Sequence, residues 1–287
     1  MILESVEETT ALLKDHNYIA DIGLSTSLFL ALKMGKALFL EGEPGVGKTE
    51  LAKVISQAFD TKLIRLQCYE GLDINHAVYE WNYPRQLLAI QSGEYSLNGS
   101  TNQGDIFAED FLLKRPMLQA LDPSHAKPPV LLIDELDRAD EEFESFLLEL
   151  LSDFQITIPE IGTLAANHRP IVIITSNRTR EIHDALKRRC IYFWIDYPNR
   201  EKELEIVQLK HPDISEQLAS DIVDYIQALR EQDLYKAPGV AETLDWAQAL
   251  QHLNADTLDP QIVDATLGII LKYQDDVDKV KAGMRGA

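Results

Sequence analysis

The chain contains few cysteines and no long apolar runs. Cys68 and Cys190 are the only two cysteines in 287 residues. We therefore expect no disulfide framework, and a reducing compartment such as the cytoplasm. No apolar run approaches the roughly 20 residues that span a bilayer. The acidic start MILESVEETT lacks the basic region of a secretory signal. The histidines and cysteines show no zinc-binding spacing, so no structural zinc is expected.

Basic residues are also scarce. Lysine and arginine number 27 against 47 acidic residues, which gives a net charge of −20. Such a charge disfavours a protein that binds the phosphate backbone of nucleic acid. It fits either solubility alone or an acidic docking face. The length accommodates one large domain and a smaller one.

Five apolar runs predict the strands of a sheet. Several of them lack alternation of apolar and polar residues, as expected for strands that are covered on both faces. Helical patterns separate the runs, so the fold class is α/β with a parallel sheet. The predicted strands are Ala37–Leu40, Lys62–Cys68, Pro129–Ile133, Pro170–Thr175 and Cys190–Ile195.

Helical patterns fill both ends of the chain. An amphipathic stretch from Tyr18 to Met34 precedes the first strand, and only helical patterns follow Pro198. This change predicts an α/β domain over residues 1–198 and a helical lid over residues 199–287. The lid helices are predicted at Glu201–Leu209, Ile214–Leu229, Val240–Leu253 and Asp259–Tyr273, with fraying from Gln274 to Ala287.

The connection between the second and third strands is unusually long. It runs from Tyr69 to Pro128, with helical patterns at Tyr83–Gln91 and Asp110–Ala120 and a Gly, Asn and Ser-rich stretch at Ser92–Gly104. Such a long connection in a compact domain is usually functional or mobile.

The string GEPGVGKT, Gly42 to Thr49, lies between an apolar run and a helical pattern. A glycine-rich turn at a helix N-terminus directs several backbone N–H groups and the helix dipole at one point, which favours phosphate. Lys48 is expected at the β- and γ-phosphates, and the Thr49 hydroxyl on Mg²⁺. The alternative is a glycine turn with a chance lysine, which the flanking strand and helix disfavour. The predicted binding set is Gly42, Glu43, Pro44, Gly45, Val46, Gly47, Lys48, Thr49 and Glu50.

Two adjacent carboxylates, Asp134 and Glu135, end the third apolar run. Ligands of α/β sheets bind at this end of the strands. Asp134 is expected to hold Mg²⁺ and Glu135 to polarise an attacking water, as phosphoryl transfer requires. The alternative is a helix-capping acidic cluster, an interpretation that we accept for residues 140–142.

Polar residues also follow the fourth strand and precede the fifth. Asn177 ends the fourth run and is predicted to contact the attacking water or the γ-phosphate, unless it is an ordinary turn asparagine. Lys187, Arg188 and Arg189 come just before the last run. They suit a helix C-terminus, and one arginine also suits a finger that reaches the γ-phosphate of a neighbouring subunit.

This ordered set resembles the AAA+ ATPases, which are P-loop NTPases. The strings YEWNYPRQLL, LLIDELDRADEEFESFLLELLSDFQITIPEIG, TSNRTREIHDALKRRC and PGVAETLDWA resemble the MoxR family, in the branch that contains CoxD. The similarity covers nearly the whole chain. It implies a five-stranded parallel sheet of order 5-1-4-3-2, a C-terminal helical lid, and a ring, commonly a hexamer, that binds ATP and Mg²⁺ between subunits.

The resemblance also assigns roles by position. Many AAA+ lids carry a sensor 2 arginine near PGVAETLDWA, where this chain has Glu242 and no arginine. This departure implies that the lid contacts nucleotide through other atoms or senses the γ-phosphate less directly. The assigned residues are Lys48 and Thr49 (Walker A), Asp134 and Glu135 (Walker B), Asn177 (sensor 1) and Arg189 (finger), with Arg188 as the rival finger.

Two segments resemble the insertions of this clade. One is Tyr69–Arg85, in which Tyr79, Trp81 and Tyr83 either grip a client or pack within the assembly. The other is Phe154–Asn167, where alternating isoleucines and Gly162 predict a hairpin.

The leading hypothesis is a ring-forming ATPase that remodels a client protein. By resemblance, the client is a metalloenzyme related to carbon monoxide dehydrogenase or other molybdenum enzymes, and a partner is a von Willebrand factor A domain protein. The alternatives are a nucleotide-gated binding module with little turnover, a DNA-directed AAA+ motor, and a small-molecule kinase.

Overall fold

A computed structural model describes residues 3–92, 95–96 and 104–286. Its centre is a five-stranded parallel sheet with the strand order β5-β1-β4-β3-β2. This order confirms the predicted α/β fold and the 5-1-4-3-2 topology. The strands are β1 (Ala37–Gly42), β2 (Leu63–Gln67), β3 (Val130–Asp134), β4 (Ile171–Ser176) and β5 (Cys190–Ile195).

The strand register brings the predicted polar residues to one edge of the sheet. Leu40 pairs with Thr175, and Gln67 pairs with Asp134. Every residue of β1 and β3 is buried, which explains why these runs show no alternation. The carboxyl ends of β1, β3 and β4 therefore lie side by side, where α/β sheets bind ligands.

Eight helices lie before or between the strands in the described part of the chain. The predicted helix at Tyr18–Met34 begins at Ile22 because Asp21 caps it, its carboxylate accepting from the Leu24 N–H at 2.8 Å. The helices are α1 (Val6–Asp15), α2 (Ile22–Met34), α3 (Lys48–Ala58), α4 (Ile74–Ala77), α5 (Tyr83–Gln91), α6 (Pro116–Ala120), α7 (Glu141–Asp153) and α8 (Asp184–Lys187).

The C-terminal helices have a hydrophobic core of their own, which includes Ile222, Trp246 and Leu267. A buried ion pair joins three of these helices: the Arg230 guanidinium lies 2.7 Å from the Glu203 carboxylate, which also accepts from Thr243 Oγ1 at 2.8 Å. The domain boundary at residue 198 remains a prediction, which this separate core supports. The helices are α9 (Arg200–Lys210), α10 (Glu216–Arg230), α11 (Val240–His252), α12 (Pro260–Ile270) and α13 (Gln274–Gly286).

Two predictions about helices were wrong. Asp110–Ala120 is not one helix, because Leu112–Lys114 pairs antiparallel with Tyr79–Trp81 and Pro116 begins the short helix α6. The C-terminal segment does not fray over residues 274–286, where α13 forms. Val280 of α13 is buried in the lid core, and the Asp276 carboxylate accepts from the Tyr235 N–H at 2.8 Å.

The predicted hairpin is confirmed, and the insertion before α5 is partly buried. Gln155–Ile158 pairs antiparallel with Gly162–Ala165. Trp81 is buried and packs edge-on against Phe107, with ring centroids 5.2 Å apart, whereas Tyr83 is exposed. Packing within the chain therefore explains the presence of Trp81, and its buried ring does not contact a client.

The remaining described elements are short. The Ser92–Gly104 stretch lies largely outside the described residues. Across the ranges that are described, no helix is both long enough and apolar enough to cross a membrane. The short elements are the paired strands Tyr95–Ser96 and Gly104–Asp105 and the 3₁₀ turns Glu109–Phe111 and Leu136–Arg138.

Candidate functional site

The glycine-rich loop between β1 and α3 forms the floor of a cleft of about 550 Å³ at the carboxyl edge of the sheet. Gly45 (φ 80°) and Gly47 (φ 93°) adopt left-handed conformations, which favour glycine. The lid forms the opposite wall. The predicted site residues that line the cleft are Pro44, Gly45, Val46, Gly47, Lys48, Thr49, Glu50, Asp134, Glu135 and Asn177.

Lys48 is the buried cation of this loop, only 7% exposed. Its ammonium donates to the backbone carbonyl oxygens of Gly42 at 2.6 Å and Glu43 at 2.7 Å. Gly42 and Glu43 therefore orient the lysine through their backbones. Burial lowers the pKa of Lys48 to about 8, although nearby carboxylates such as Asp137 act in the opposite direction. An anionic ligand would compensate this desolvation.

Oxygen ligands suited to Mg²⁺ meet beside the lysine. Thr49 Oγ1 donates to Asp134 Oδ1 at 3.0 Å, and Thr175 Oγ1 donates to the same oxygen at 2.5 Å. Arg65 binds the other oxygen, with Nη2 2.6 Å from Asp134 Oδ2. A hydroxyl next to a carboxylate is the kind of oxygen set that Mg²⁺ takes, so Thr49 and Asp134 fit the predicted ion.

Glu135 follows β3 in a left-handed conformation with φ 55°. Its N–H donates to Thr175 Oγ1 at 2.9 Å, which fixes the backbone beside Asp134. Its carboxylate lies 3.6 Å from Arg138 Nε, and its side chain is only partly exposed. An uncommon backbone conformation for a non-glycine residue, held by a neighbouring strand, is typical of functional sites.

Asn177 lines the cleft directly after β4. Its N–H donates to Asp137 Oδ1 at 3.2 Å, and Thr179 donates to Asp137 Oδ2 through both its N–H (2.9 Å) and its hydroxyl (2.7 Å). The buried Asp137 thus holds the turn that carries Asn177. We did not predict this role, although Asp137 stands only two residues after Glu135.

Arg188 and Arg189 do not line this cleft. Both are exposed at the end of α8. Arg189 Nε donates to Ser152 Oγ at 3.1 Å. The structure therefore separates the two arginines from the other predicted site residues of the same chain.

The lid reaches the glycine-rich loop through its backbone. The Ala241 N–H donates to the Gly45 carbonyl oxygen at 3.1 Å. Glu242 faces its own helix start, where its carboxylate accepts from the Gly239 N–H at 3.0 Å. The expectation that the lid contacts nucleotide through atoms other than an arginine stays a prediction, which this backbone contact supports.

Two lysines of α9 and one tyrosine complete the cleft wall. Lys202 lies 3.1 Å from the Asp21 carboxylate, and Lys210 lies 3.7 Å from that of Glu50. Tyr18 lies under the loop, with its hydroxyl 3.4 Å from the Gly47 carbonyl oxygen. We did not predict these residues, because no local motif marks them.

Comparisons with known proteins agree with this geometry. A family model, AAA domain (dynein-related subfamily), matches residues 37–190, more than half of the chain. An uncharacterized protein of Staphylococcus aureus (strain bovine RF122 / ET3-1) is 28% identical over 171 residues, 57% of each chain. A Lon protease of Cytophaga hutchinsonii is 26% identical over 182 residues, 60% of this chain and 19% of its own. The chain thus spans well under two thirds of the length of these relatives.

Solved structures share the fold. One point mutant of Thermotoga maritima RuvB superposes with a TM-score of 0.52 at 20% identity and covers 96% of this chain and 76% of its own. A second point mutant of the same protein gives a TM-score of 0.51 at 20% identity, with 93% and 72% covered. At this identity the likeness concerns the fold alone. With the glycine-rich loop, the acidic pair and the sheet order in place, the chain belongs to the AAA+ ATPases, in the dynein-related subfamily of AAA domains.

Proposed function

We propose that this protein is a MoxR-type AAA+ ATPase that hydrolyses ATP in a ring and uses the energy to remodel a client protein. The observation that carries the proposal is the convergence of three groups on one cleft beneath the lid. These groups are the buried Lys48 ammonium, the Thr49–Asp134 oxygen pair and the Glu135 carboxylate. A strand-loop-helix unit with these groups matches the requirements of phosphoryl transfer.

Each group has a separate task in this proposal. Lys48 and the loop N–H groups bind the phosphates, and Thr49 and Asp134 hold Mg²⁺, which neutralises charge on the phosphate oxygens when it is bound. Glu135 accepts a proton from the attacking water, and Asn177 orients that water. Because Ala241 of the lid contacts Gly45, a change in the loop is transmitted directly to the lid.

The ring accounts for the two exposed arginines. Neither Arg188 nor Arg189 lines the cleft of its own chain, so each is available to a neighbouring subunit. An arginine supplied in this way stabilises charge on the γ-phosphate. We propose Arg189 as this finger, with Arg188 as the rival, in a homo-oligomer that is a hexamer by resemblance.

The finer parts of the proposal rest on the resemblance of the quoted strings to the CoxD branch. They are a von Willebrand factor A domain partner and a client among metalloenzymes of the carbon monoxide dehydrogenase or molybdenum type. A cytoplasmic location rests instead on the two cysteines, Cys68 and Cys190, which are both free and buried. The net charge of −20 disfavours the DNA-directed alternative. Affinity purification with a variant that binds ATP without hydrolysing it tests the partner and the client together. Recovery of DNA in place of a protein client would support the alternative.

One contact favours a second function, a nucleotide-gated binding module with little turnover. The Arg65 guanidinium binds Asp134 Oδ2 at 2.6 Å and competes there with a metal ion. Steady-state phosphate release separates the two functions: sustained multiple turnover supports the ATPase, and a single stoichiometric release supports the module.

Replacing Lys48 with alanine tests whether this lysine binds the phosphates of ATP. We expect nucleotide affinity to fall by at least about tenfold, because a charge-assisted contact to phosphate contributes roughly 1.5–3 kcal/mol. Calorimetric titration with MgATP measures the effect. Lys62→Ala is the matched control, since Lys62 is an exposed lysine that does not line the cleft. Unchanged affinity and turnover in Lys48→Ala would refute the proposal.

The depressed pKa of Lys48 predicts how affinity depends on pH. In the free protein this lysine loses its charge near pH 8, whereas bound phosphates favour the charged form. Affinity is therefore independent of this group well below pH 8 and falls above it, by up to about tenfold per pH unit. Titrations from about one pH unit below that pKa to about one and a half above it, with proton uptake measured in two buffers, check this expectation. Lys62→Ala must retain the decline, and a flat profile in the unchanged protein would contradict the assignment.

A further inference from the structure

Glu41 is a buried carboxylate that the proposed chemistry does not use. It lies near the end of β1, directly before Gly42, and is 2% exposed. A buried carboxylate is costly unless it is paired and hydrogen-bonded. The groups around Glu41 therefore indicate what it holds in place.

Three elements supply partners to this carboxylate. The Tyr192 hydroxyl of β5 donates to Oε2 at 2.9 Å, and Ser176 Oγ at the end of β4 donates to Oε1 at 3.3 Å. The Lys187 ammonium at the end of α8 lies 3.7 Å from Oε2. Glu41 thus joins two strands and the short helix α8 to the end of β1.

These partners have a common position relative to the candidate site. Ser176 directly precedes Asn177, Lys187 directly precedes Arg188, and Glu41 itself directly precedes Gly42. The carboxylate that precedes the glycine-rich loop therefore contacts the residue before the candidate sensor and the residue before Arg188, the rival finger, two positions before Arg189. The sheet register pairs Glu41 with Ser176, so the parallel strands bring these residues to the edge that carries the candidate site.

The surroundings of Lys187 favour its contact with Glu41 over its contact with a second carboxylate. Its ammonium lies 5.9 Å from the ring centroids of both Phe39 and Tyr192, and its side chain is only 24% exposed. Its other carboxylate partner, Glu181 at 3.6 Å, is 72% exposed and screened by solvent. Burial and the Glu41 contact raise the pKa of Tyr192 to about 12, so that its hydroxyl stays a donor.

We propose that Glu41 is a positioning residue that couples the glycine-rich loop of one subunit to the arginine which that subunit supplies to its neighbour. Its contact with Lys187 fixes the end of α8. Its side chain also moves with the glycine-rich loop, because Glu41 directly precedes Gly42 in β1. The proposal rests on the proposed ring ATPase. Glu41 itself touches neither nucleotide nor water in this scheme.

Mixed rings separate this role from a structural one. One subunit carries Arg188→Ala and Arg189→Ala, which removes the finger and keeps its own cleft. The other carries Glu135→Gln, which inactivates its cleft and keeps the finger. Mixing the two is expected to restore turnover at clefts that face an intact arginine, measured as steady-state phosphate release.

Glu41→Gln is then added to either subunit in turn. On the subunit that supplies the finger, it is expected to lower the restored turnover by up to about 10²-fold, because small misplacements of a catalytic group have effects of this size. On the subunit that supplies the cleft, the loss should be clearly smaller, because that subunit has no arginine for Glu41 to position. Equal losses in the two arrangements, or no loss on the finger subunit, would overturn the proposal.

Two further variants keep the test sharp if Glu41→Gln folds poorly. Lys187→Met removes the ion pair with Glu41 and must also lower turnover more on the finger subunit than on the cleft subunit. Glu181→Gln removes only the exposed partner of Lys187 and must not show this difference. Mixed rings of the parent variants that show no restored turnover would overturn both the finger in trans and the role of Glu41. Restored turnover without asymmetry would overturn the role of Glu41 alone.

Discussion

Replacing Glu135 with glutamine is expected to lower ATP turnover by about 10²–10⁴-fold, the usual contribution of a general base. Glutamine matches the size of glutamate, but its amide does not accept the proton of an attacking water. MgATP affinity should persist, because Lys48 and the Thr49–Asp134 pair are unchanged. Single-turnover phosphate release and a parallel binding titration measure the two quantities.

Glu142→Gln is the matched control for this substitution. Glu142 is an exposed carboxylate in the first turn of α7, a short distance beyond Glu135 in the chain. Its removal changes the net charge by the same amount and should leave turnover within about twofold, as is usual for surface substitutions. If Glu135→Gln kept the turnover of the unchanged protein, Glu135 would not be the base and another cleft carboxylate would have to replace it.

Replacing Arg189 with alanine is expected to lower turnover by about 10³–10⁵-fold in assembled rings, the contribution typical of an arginine finger. Binding of MgATP should be retained, because Lys48 and the Thr49–Asp134 pair remain in every cleft. The loss should be relieved by mixing with Glu135→Gln subunits, which have an intact arginine. Rates must be compared at protein concentrations where sedimentation shows assembled rings.

Arg188→Ala is the comparison that separates the neighbouring arginines. Arg189 already donates to Ser152 and to the Ala185 carbonyl oxygen, so its side chain is held at the end of α8. If Arg188→Ala shows the large loss and Arg189→Ala a small one, the finger is Arg188. Small losses in both variants and in the double variant would remove the finger from the mechanism.

The sheet could be predicted from the sequence because burial on both faces leaves a simple local signature. All five apolar runs became strands, and their order followed from the family resemblance. The hairpin at 155–165 was equally local, since buried Ile156 and Ile158 alternate with polar residues. The two errors came from longer-range contacts. Leu112–Lys114 forms a strand through the distant partner strand Tyr79–Trp81, and α13 is stabilised by the lid core.

The candidate site was predictable where its residues form contiguous motifs. Lys48, Thr49, Asp134, Glu135 and Asn177 could be predicted as candidates because each follows or begins an element in a recognisable string, and all five line one cleft. Arg65 binds Asp134 only because β2 and β3 are neighbours in the sheet. Lys202 and Lys210 reach the cleft only because α9 packs across it. Such partners depend on tertiary structure and carry no local signal.

The backbone contact between lid and loop leaves almost no clearance. A methyl group on Gly239 would lie 2.8 Å from the Pro44 carbonyl oxygen and 3.0 Å from Gly45 Cα. Because both neighbours are main-chain atoms, neither can rotate away. Gly239 and Gly45 therefore allow each other's close approach. A larger residue at position 239 would push the lid away from the glycine-rich loop, even with every residue that performs the chemistry unchanged.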